Sequence, residues 1–148
     1  MGWFPKNCVV VPYDFSEQSG QALQVARELV ADLTQIHVVH VLPVVTVAEP
    51  GMIWDVVDNQ ARMKDAERAF RDGFAPGPFQ NADFHVIFGD PGREIAAFAE
   101  RQKADLIVMP SHGRSGVSRL LIGSVAERVA RLAHCPVLIL RGLSVKRR

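Results

Sequence analysis

The sequence predicts one α/β domain, residues 1–148, built on an open five-stranded parallel sheet with helices on both faces. Five short apolar runs, most of them rich in β-branched residues, alternate along the chain with segments of helical spacing. Several of these runs lack polar–apolar alternation, which is typical of strands that are covered on both faces. The order β-α-β-α-β-α-β-α-β therefore favours a parallel sheet joined by right-handed crossovers.

Each element is predicted from its own pattern. The expected strands are residues 8–11, 36–41, 84–88, 106–109 and 136–140. The expected helices carry apolar residues at i, i+3, i+4 and i+7 or a looser version of that spacing. They cover residues 22–30, 52–74, 90–99 and 125–133. The third helix opens at Asp90-Pro91-Gly92, where proline suits the first turn, and the fourth ends before Pro136.

Two loops at the carboxyl ends of strands are the candidate ligand-binding segments. Residues 12–16 follow the first strand, and residues 110–123 form a long connection from the fourth strand to the fourth helix. In open parallel sheets the ligand crevice lies at the carboxyl ends of the strands, where the strand order reverses. A connection of this length at that position is more often functional than a simple link.

The second of these loops has the composition of a phosphate-binding loop. Gly113 and Gly123 allow backbone N–H groups to approach a ligand closely. The helix that starts near Ser124 adds unpaired N–H donors and a partial positive charge, and Arg114 supplies a charged donor. A structural alternative stays open, because Ser124 and Glu127 match the S-x-x-E capping box and the glycines can serve the turns alone.

The same loop resembles the nucleotide loop of the universal stress protein family. That family's pattern is glycine, two residues, glycine, nine residues, glycine, then Ser or Thr, and Gly113, residues 114–122, Gly123 and Ser124 match its later part. The resemblance covers the whole chain in element order and implies a Rossmann-like, adenine nucleotide alpha hydrolase-like fold. Pro110 stands where the family has its first glycine, and proline lacks an N–H and cannot adopt positive φ.

The resemblance implies an adenine nucleotide as ligand, with ATP expected and Mg²⁺ carried by the nucleotide. It places the segment after strand 1 against the adenosine, Val41 at the adenine, and Gly113, Gly123 and Ser124 at the phosphates. The expected binding residues are Pro12, Tyr13, Asp14, Val41, Met109, Pro110, Gly113, Arg114, Gly123, Ser124 and Val125. The family also implies a homodimer through residues 137–140, and an apolar edge strand without charge is prone to such pairing.

Bulk composition excludes several other classes. Hydrophobic residues make up 48% and charged residues 22%, as in folded soluble proteins, and the net charge of +1 gives no field for nucleic acid or anionic lipid. No apolar run reaches the roughly 20 residues that span a bilayer, and the N-terminus does not resemble a signal peptide. A cytoplasmic location is expected, with Cys8 and Cys135 as small hydrophobic residues in a reducing compartment.

Motifs of other nucleotide-binding and catalytic classes do not match. The chain contains no GxxxxGK[ST] loop, no GxGxxG after the first strand and no G-x-S-x-G elbow. His37, His40, His85 and His134 show no close paired spacing of a metal site, and core or rim positions are expected for His37 and His40, which lie within one strand. We therefore expect a regulatory binding protein that is not an enzyme, with at most slow ATP hydrolysis. The alternative is a dimeric interaction module of the same fold whose pocket is closed by Pro110.

Overall fold

The computed structural model describes residues 2–45, 58–112 and 122–142 of the chain. The strands are β1 (Val9–Pro12), β2 (Ile36–Leu42), β3 (Asp83–Phe88), β4 (Leu106–Pro110) and β5 (Val137–Leu140). The helices are α1 (Glu17–Leu29), α2 (Asn59–Gly73), α3 (Pro91–Arg101) and α4 (Ser124–Leu132). The part of the second predicted helix that precedes residue 58 lies outside the described residues. None of the helices described is both long enough and apolar enough to cross a membrane.

The five strands form one parallel sheet in the order β3-β2-β1-β4-β5, so the predicted fold class is confirmed. From β1 the chain builds outward through β2 to β3, and then returns to place β4 on the other side of β1. The strand order therefore reverses between β1 and β4. Val9 marks this position in the register, because it pairs with Ile36 of β2 and with Leu106 of β4.

Strand β1 shows why its sequence is a continuous apolar run. Val9 and Val11 face the core beneath α1 and α2, whereas Val10 faces the core beneath α3. All three side chains are completely buried. A strand with helices on both sides has no solvent face, so its sequence has no polar alternation.

An aromatic cluster packs α2 onto the sheet and extends to the carboxyl end of β1. The ring of Phe70, which is fully buried, stacks on Phe84 of β3 with centroids 4.3 Å apart. Tyr13 meets Phe70 edge to face at 5.3 Å. Edge-to-face and offset ring contacts are the favoured aromatic geometries, so this cluster fixes the position of Tyr13 where the chain leaves β1.

Helices α3 and α4 lie side by side, and an ion pair links the amino-terminal end of α3 to the middle of α4. Asp90, the N-cap of α3, accepts a hydrogen bond from the Arg93 N–H and forms an ion pair of 3.0 Å with Arg128 of α4. The Arg128 hydrogen bond, aided by that of Arg93, holds the pKa of the Asp90 carboxyl below its ordinary value. A Cβ on Gly92 would lie 2.6 Å from Cγ of Arg128, so the two helices meet closely there.

Candidate functional site

A crevice of about 360 Å³ opens at the carboxyl ends of β1, β2 and β4, beside the point where the strand order reverses. Its volume lies in the range of small-molecule sites. Strands form its floor, and the amino-terminal turns of α3 and α4 lie beside it. The lining residues are Pro12, Tyr13, Asp14, Ser19, Val39, His40, Val41, Pro91, Ile95, Met109, Pro110, Ser111, His112, Gly123, Ser124, Val125 and Ala126.

The structure brings together most of the residues expected at the nucleotide. The expected residues that line the crevice are Pro12, Tyr13, Asp14, Val41, Met109, Pro110, Gly123, Ser124 and Val125. Gly113 and Arg114 lie outside the described residues. Helix α3 also contributes to the crevice, through Pro91 and Ile95, and this contribution was not predicted from the sequence. The available signal was topological, because the crossover from β3 to β4 carries a helix over the same end of the sheet.

One wall of the crevice is apolar. Val39 and Val41 come from β2, Met109 from β4 and Ile95 from α3. Val39, Met109 and Ile95 are nearly completely buried and belong to the core beneath α3. A wall of this kind suits the flat, largely apolar face of a base, since small-molecule sites combine apolar walls with a few polar groups.

The segment after β1 is held by its own hydrogen bonds. Oδ1 of Asp14 accepts a hydrogen bond from the Ser16 N–H at 3.0 Å. The Tyr13 N–H donates to the Val39 carbonyl at 2.8 Å, and the Tyr13 carbonyl lies 2.7 Å from Nδ1 of His40. Burial, with a smaller contribution from Asp14, raises the pKa of the Tyr13 phenol. Asp14 is thus presented to the crevice from a segment that is tied to β2.

The structural role of Gly123 differs from the predicted one. The Gly123 N–H donates to the Ser111 carbonyl at 2.7 Å, so it is already used within the protein. The expectation that the backbone N–H of Gly123 approaches a ligand is therefore wrong. A Cβ on Gly123 would lie 2.8 Å from the same carbonyl oxygen. The glycine is needed for this close approach of two backbone segments, which brings the ends of the 110–123 connection together.

The first turn of α4 borders the crevice beside Gly123. Gly123 is the N-cap of α4 and makes no side-chain capping bond, so the alternative in which Ser124 caps this helix is wrong. In α1, α2 and α3 a Ser or Asp side chain accepts from the first turn. The first N–H groups of any helix lack an intrahelical acceptor and carry partial positive charge. Ser124, Val125 and Ala126, which begin α4, all line the crevice.

Pro110 is buried at the end of β4, with its backbone nitrogen directed away from β5. The Ile107 N–H donates to the Pro136 carbonyl at 3.0 Å, and the Ser111 N–H donates to the Leu140 carbonyl at 2.9 Å. Because donors alternate between the two edges of a strand, residue 110 has its nitrogen on the β1 side, where the crevice lies. Another residue at this position would point an N–H there.

Ser111 and His112 do not form a nucleophile–base pair. Among the residues the structure describes, no hydrogen bond joins their side chains, and Nε2 of His112 is buried without a hydrogen-bond partner. A Ser–His catalytic pair requires the base within hydrogen-bond reach of the hydroxyl. Ser111 and His112 therefore lack the geometry of such a pair.

Comparisons with known proteins agree with this architecture. The model of the universal stress protein family matches residues 7–141. A universal stress protein of Methanocaldococcus jannaschii is 36% identical over 139 residues, which cover 90% of this chain and 81% of that protein. The solved UspA of Lactobacillus plantarum has a TM-score of 0.69 at 23% identity, over 91% of this chain and 97% of that chain.

A further solved relative carries a ligand. The universal stress protein of Archaeoglobus fulgidus, solved in complex with dAMP, has a TM-score of 0.51 at 24% identity. The similarity covers 95% of this chain and 100% of that one. At this identity the likeness supports the fold. Together, the family match along nearly the whole sequence and the shared fold show that this chain belongs to the universal stress protein family.

Proposed function

We propose that this stress protein binds an adenine nucleotide, with ATP as the expected ligand, as a regulatory module and not as an enzyme. One observation carries the proposal: an apolar wall and the amino terminus of α4, which no side chain of the described residues caps, face the same crevice at the switch point of the sheet. Such a crevice pairs a surface for a base with donors for an anion.

The arrangement supports one orientation of the ligand. The adenine lies against Val41 and Met109, and the ribose lies beside Asp14. The phosphates lie at the first turn of α4, where Ser124 and Val125 supply N–H donors. The dAMP held by the solved relative is a nucleotide of the same class. Mg²⁺ carried by ATP needs only one or two carboxylates besides phosphate oxygens, and Asp14 places a carboxylate at this crevice.

The proposal is tested with the full-length chain. The purified protein is denatured and the released material is separated by chromatography and identified by its absorbance. The apo protein is then titrated calorimetrically with ATP, ADP and AMP. We expect a 1:1 complex with at least one of them. No heat with any nucleotide, together with none released, would refute the proposal, and ATP turnover at ordinary enzyme rates of about 1–10³ s⁻¹ would refute the non-enzyme assignment.

Pro110→Gly is expected to tighten ATP binding by up to about fivefold. The glycine would place an N–H on the crevice side of β4, and one added hydrogen bond contributes roughly 1 kcal/mol. Calorimetric titration of both proteins with ATP measures the change. Pro110→Ala is the matched variant, because it restores the N–H while retaining a side chain. If both variants bind as the parent does, the nitrogen of residue 110 does not face a phosphate or ribose oxygen.

We further propose a homodimer that forms through residues 137–140. Strand β5 is the last strand in the described sheet, it pairs with β4 on one edge, and Leu138 is 36% exposed. Sedimentation of the wild type and of Leu138→Lys measures the assembly. A wild-type dimer that becomes monomeric in the variant supports this interface. A dimer without any nucleotide binding would instead favour the interaction-module alternative.

A further inference from the structure

A second group of chemically active side chains lies at the opposite end of the sheet from the crevice. His37 is the second residue of β2, and Asp83 is the first residue of β3. The register pairs these two residues directly and places His85 beside Val39, two positions further along. Because side chains alternate across a strand, Asp83 and His85 share one face. This group could not be predicted from local spacing, because 46 positions separate His37 from Asp83 in the sequence.

The three side chains converge on one point. Nδ1 of His37 lies 2.5 Å from Oδ2 of Asp83, and Nε2 of His85 lies 2.8 Å from the same oxygen. The two ring nitrogens and the carboxylate oxygen all lie within 4.8 Å of one another. Histidine spacing along the sequence gave no indication of this arrangement, because His37 and His85 belong to different strands.

We propose that His37, Asp83 and His85 form a binding site for a divalent transition metal, with Zn²⁺ as the favoured ion. Imidazole nitrogen and carboxylate oxygen are the donors that zinc accepts, and two histidines with one carboxylate leave a fourth position open. Ligand atoms around a tetrahedral zinc ion lie about 3.3 to 3.5 Å apart, given bonds of about 2.0–2.2 Å. The nitrogen–oxygen pairs therefore need to separate by less than about 1 Å to admit the ion.

Burial and packing both suit such a site. The side chains of His37, Asp83 and His85 are 22%, 44% and 37% exposed, so water can reach the ion and complete its coordination. The ring of His85 lies 4.9 Å from that of Phe98, which is itself buried in the core of α3. This contact orients the His85 ring before any metal arrives. Because His37 belongs to β2 and the other two ligands to β3, a bound ion would link the two strands.

The test uses the full chain without a histidine tag. The protein is treated with a chelator to remove bound metal, and the chelator is then removed. Zn²⁺ is titrated against a chromophoric chelator, and Co²⁺ is added separately as a spectroscopic probe. We expect one equivalent of each ion to bind, with intense visible bands from tetrahedral Co²⁺. The affinity for Zn²⁺ should fall at least about tenfold in His37→Ala and in His85→Ala.

His134→Ala is the matched control. His134 also pairs with a carboxylate, Glu100, at 3.3 Å and on the surface, but that pair belongs to no group of three ligands among the residues described. Its replacement should leave the affinity unchanged. A wild-type chain that takes up no stoichiometric Zn²⁺, or equal losses in His85→Ala and His134→Ala, would show that Asp83 merely accepts hydrogen bonds from two imidazoles.

A measurement on the wild-type protein tests the proposal independently of whether the variants fold. Zinc added to the wild type should shift the imidazole NMR signals of His37 and His85 and leave that of His134 in place. Thermal unfolding should also move to higher temperature with Zn²⁺, since a ligand that binds only the folded state stabilises it. Unchanged signals from His37 and His85 at saturating zinc would overturn the proposal.

Discussion

Gly123→Val is expected to weaken ATP binding by roughly tenfold or more. A Cβ at this position would lie 2.8 Å from the Ser111 carbonyl oxygen, and that neighbour is backbone and not a movable side chain. The strand exit at Ser111 and the start of α4 must then separate, which breaks the 2.7 Å hydrogen bond between them. The donors of the first turn move with the helix, and a tenfold loss corresponds to about 1.4 kcal/mol. Calorimetric titration with ATP measures it.

Gly73→Ala is the control for this variant. Gly73 ends α2, and a Cβ there would meet no atom within 4 Å. Its ATP affinity should equal that of the parent. Gly123→Ala, with a smaller side chain, should give an intermediate loss, and circular dichroism establishes that each variant is folded. Parental affinity in folded Gly123→Val would mean that the phosphates bind elsewhere.

Phe70→Ala is expected to lower the free energy of unfolding by about 3–5 kcal/mol, the usual cost of removing a buried aromatic ring. Phe70 is completely inaccessible and stacks on Phe84, so its loss opens a cavity between α2 and β3. Since the total stability of a domain is about 5–15 kcal/mol, the variant is expected to approach unfolding. Urea denaturation at equilibrium measures the change.

Met63→Ala tests whether the effect belongs to the core. Met63 lies on the same helix and is 40% exposed, so its replacement should change stability by less than about 1 kcal/mol. Phe70→Ala should also weaken ATP binding, because its ring supports Tyr13 at the crevice with centroids 5.3 Å apart. If Phe70→Ala costs no more than Met63→Ala, the aromatic cluster does not hold α2 on the sheet.

The fold could be predicted from the sequence because a strand that is buried on both faces has a continuous apolar sequence. The run Val9–Val11 indicates a covered strand without knowledge of its neighbours. The start of α1 was predicted less accurately than those of α3 and α4, because a polar first turn carries no apolar signal. Helix α1 was predicted from residue 22, whereas it begins at Glu17, where the Ser16 side chain accepts the Ser19 N–H.

The site could be predicted only in outline, since part of it depends on contacts between distant segments. Glycine at position 123 indicated a close approach, but its partner proved to be the Ser111 carbonyl and not a ligand. The grouping of His37 with Asp83 and His85 follows from the register of β2 and β3. No local spacing encodes a register between strands that are separated by a helix.

The bond between Gly123 and Ser111 also bears on how proteins of this architecture diversify. It holds the two ends of the connection from β4 to α4 together, with the Gly123 nitrogen 2.7 Å from the Ser111 carbonyl oxygen. A surface loop whose two ends are held together can change in length and composition while the strand and helix that it connects keep their places. A foreign segment grafted between residues 112 and 122 is therefore expected to leave the sheet and α4 in place.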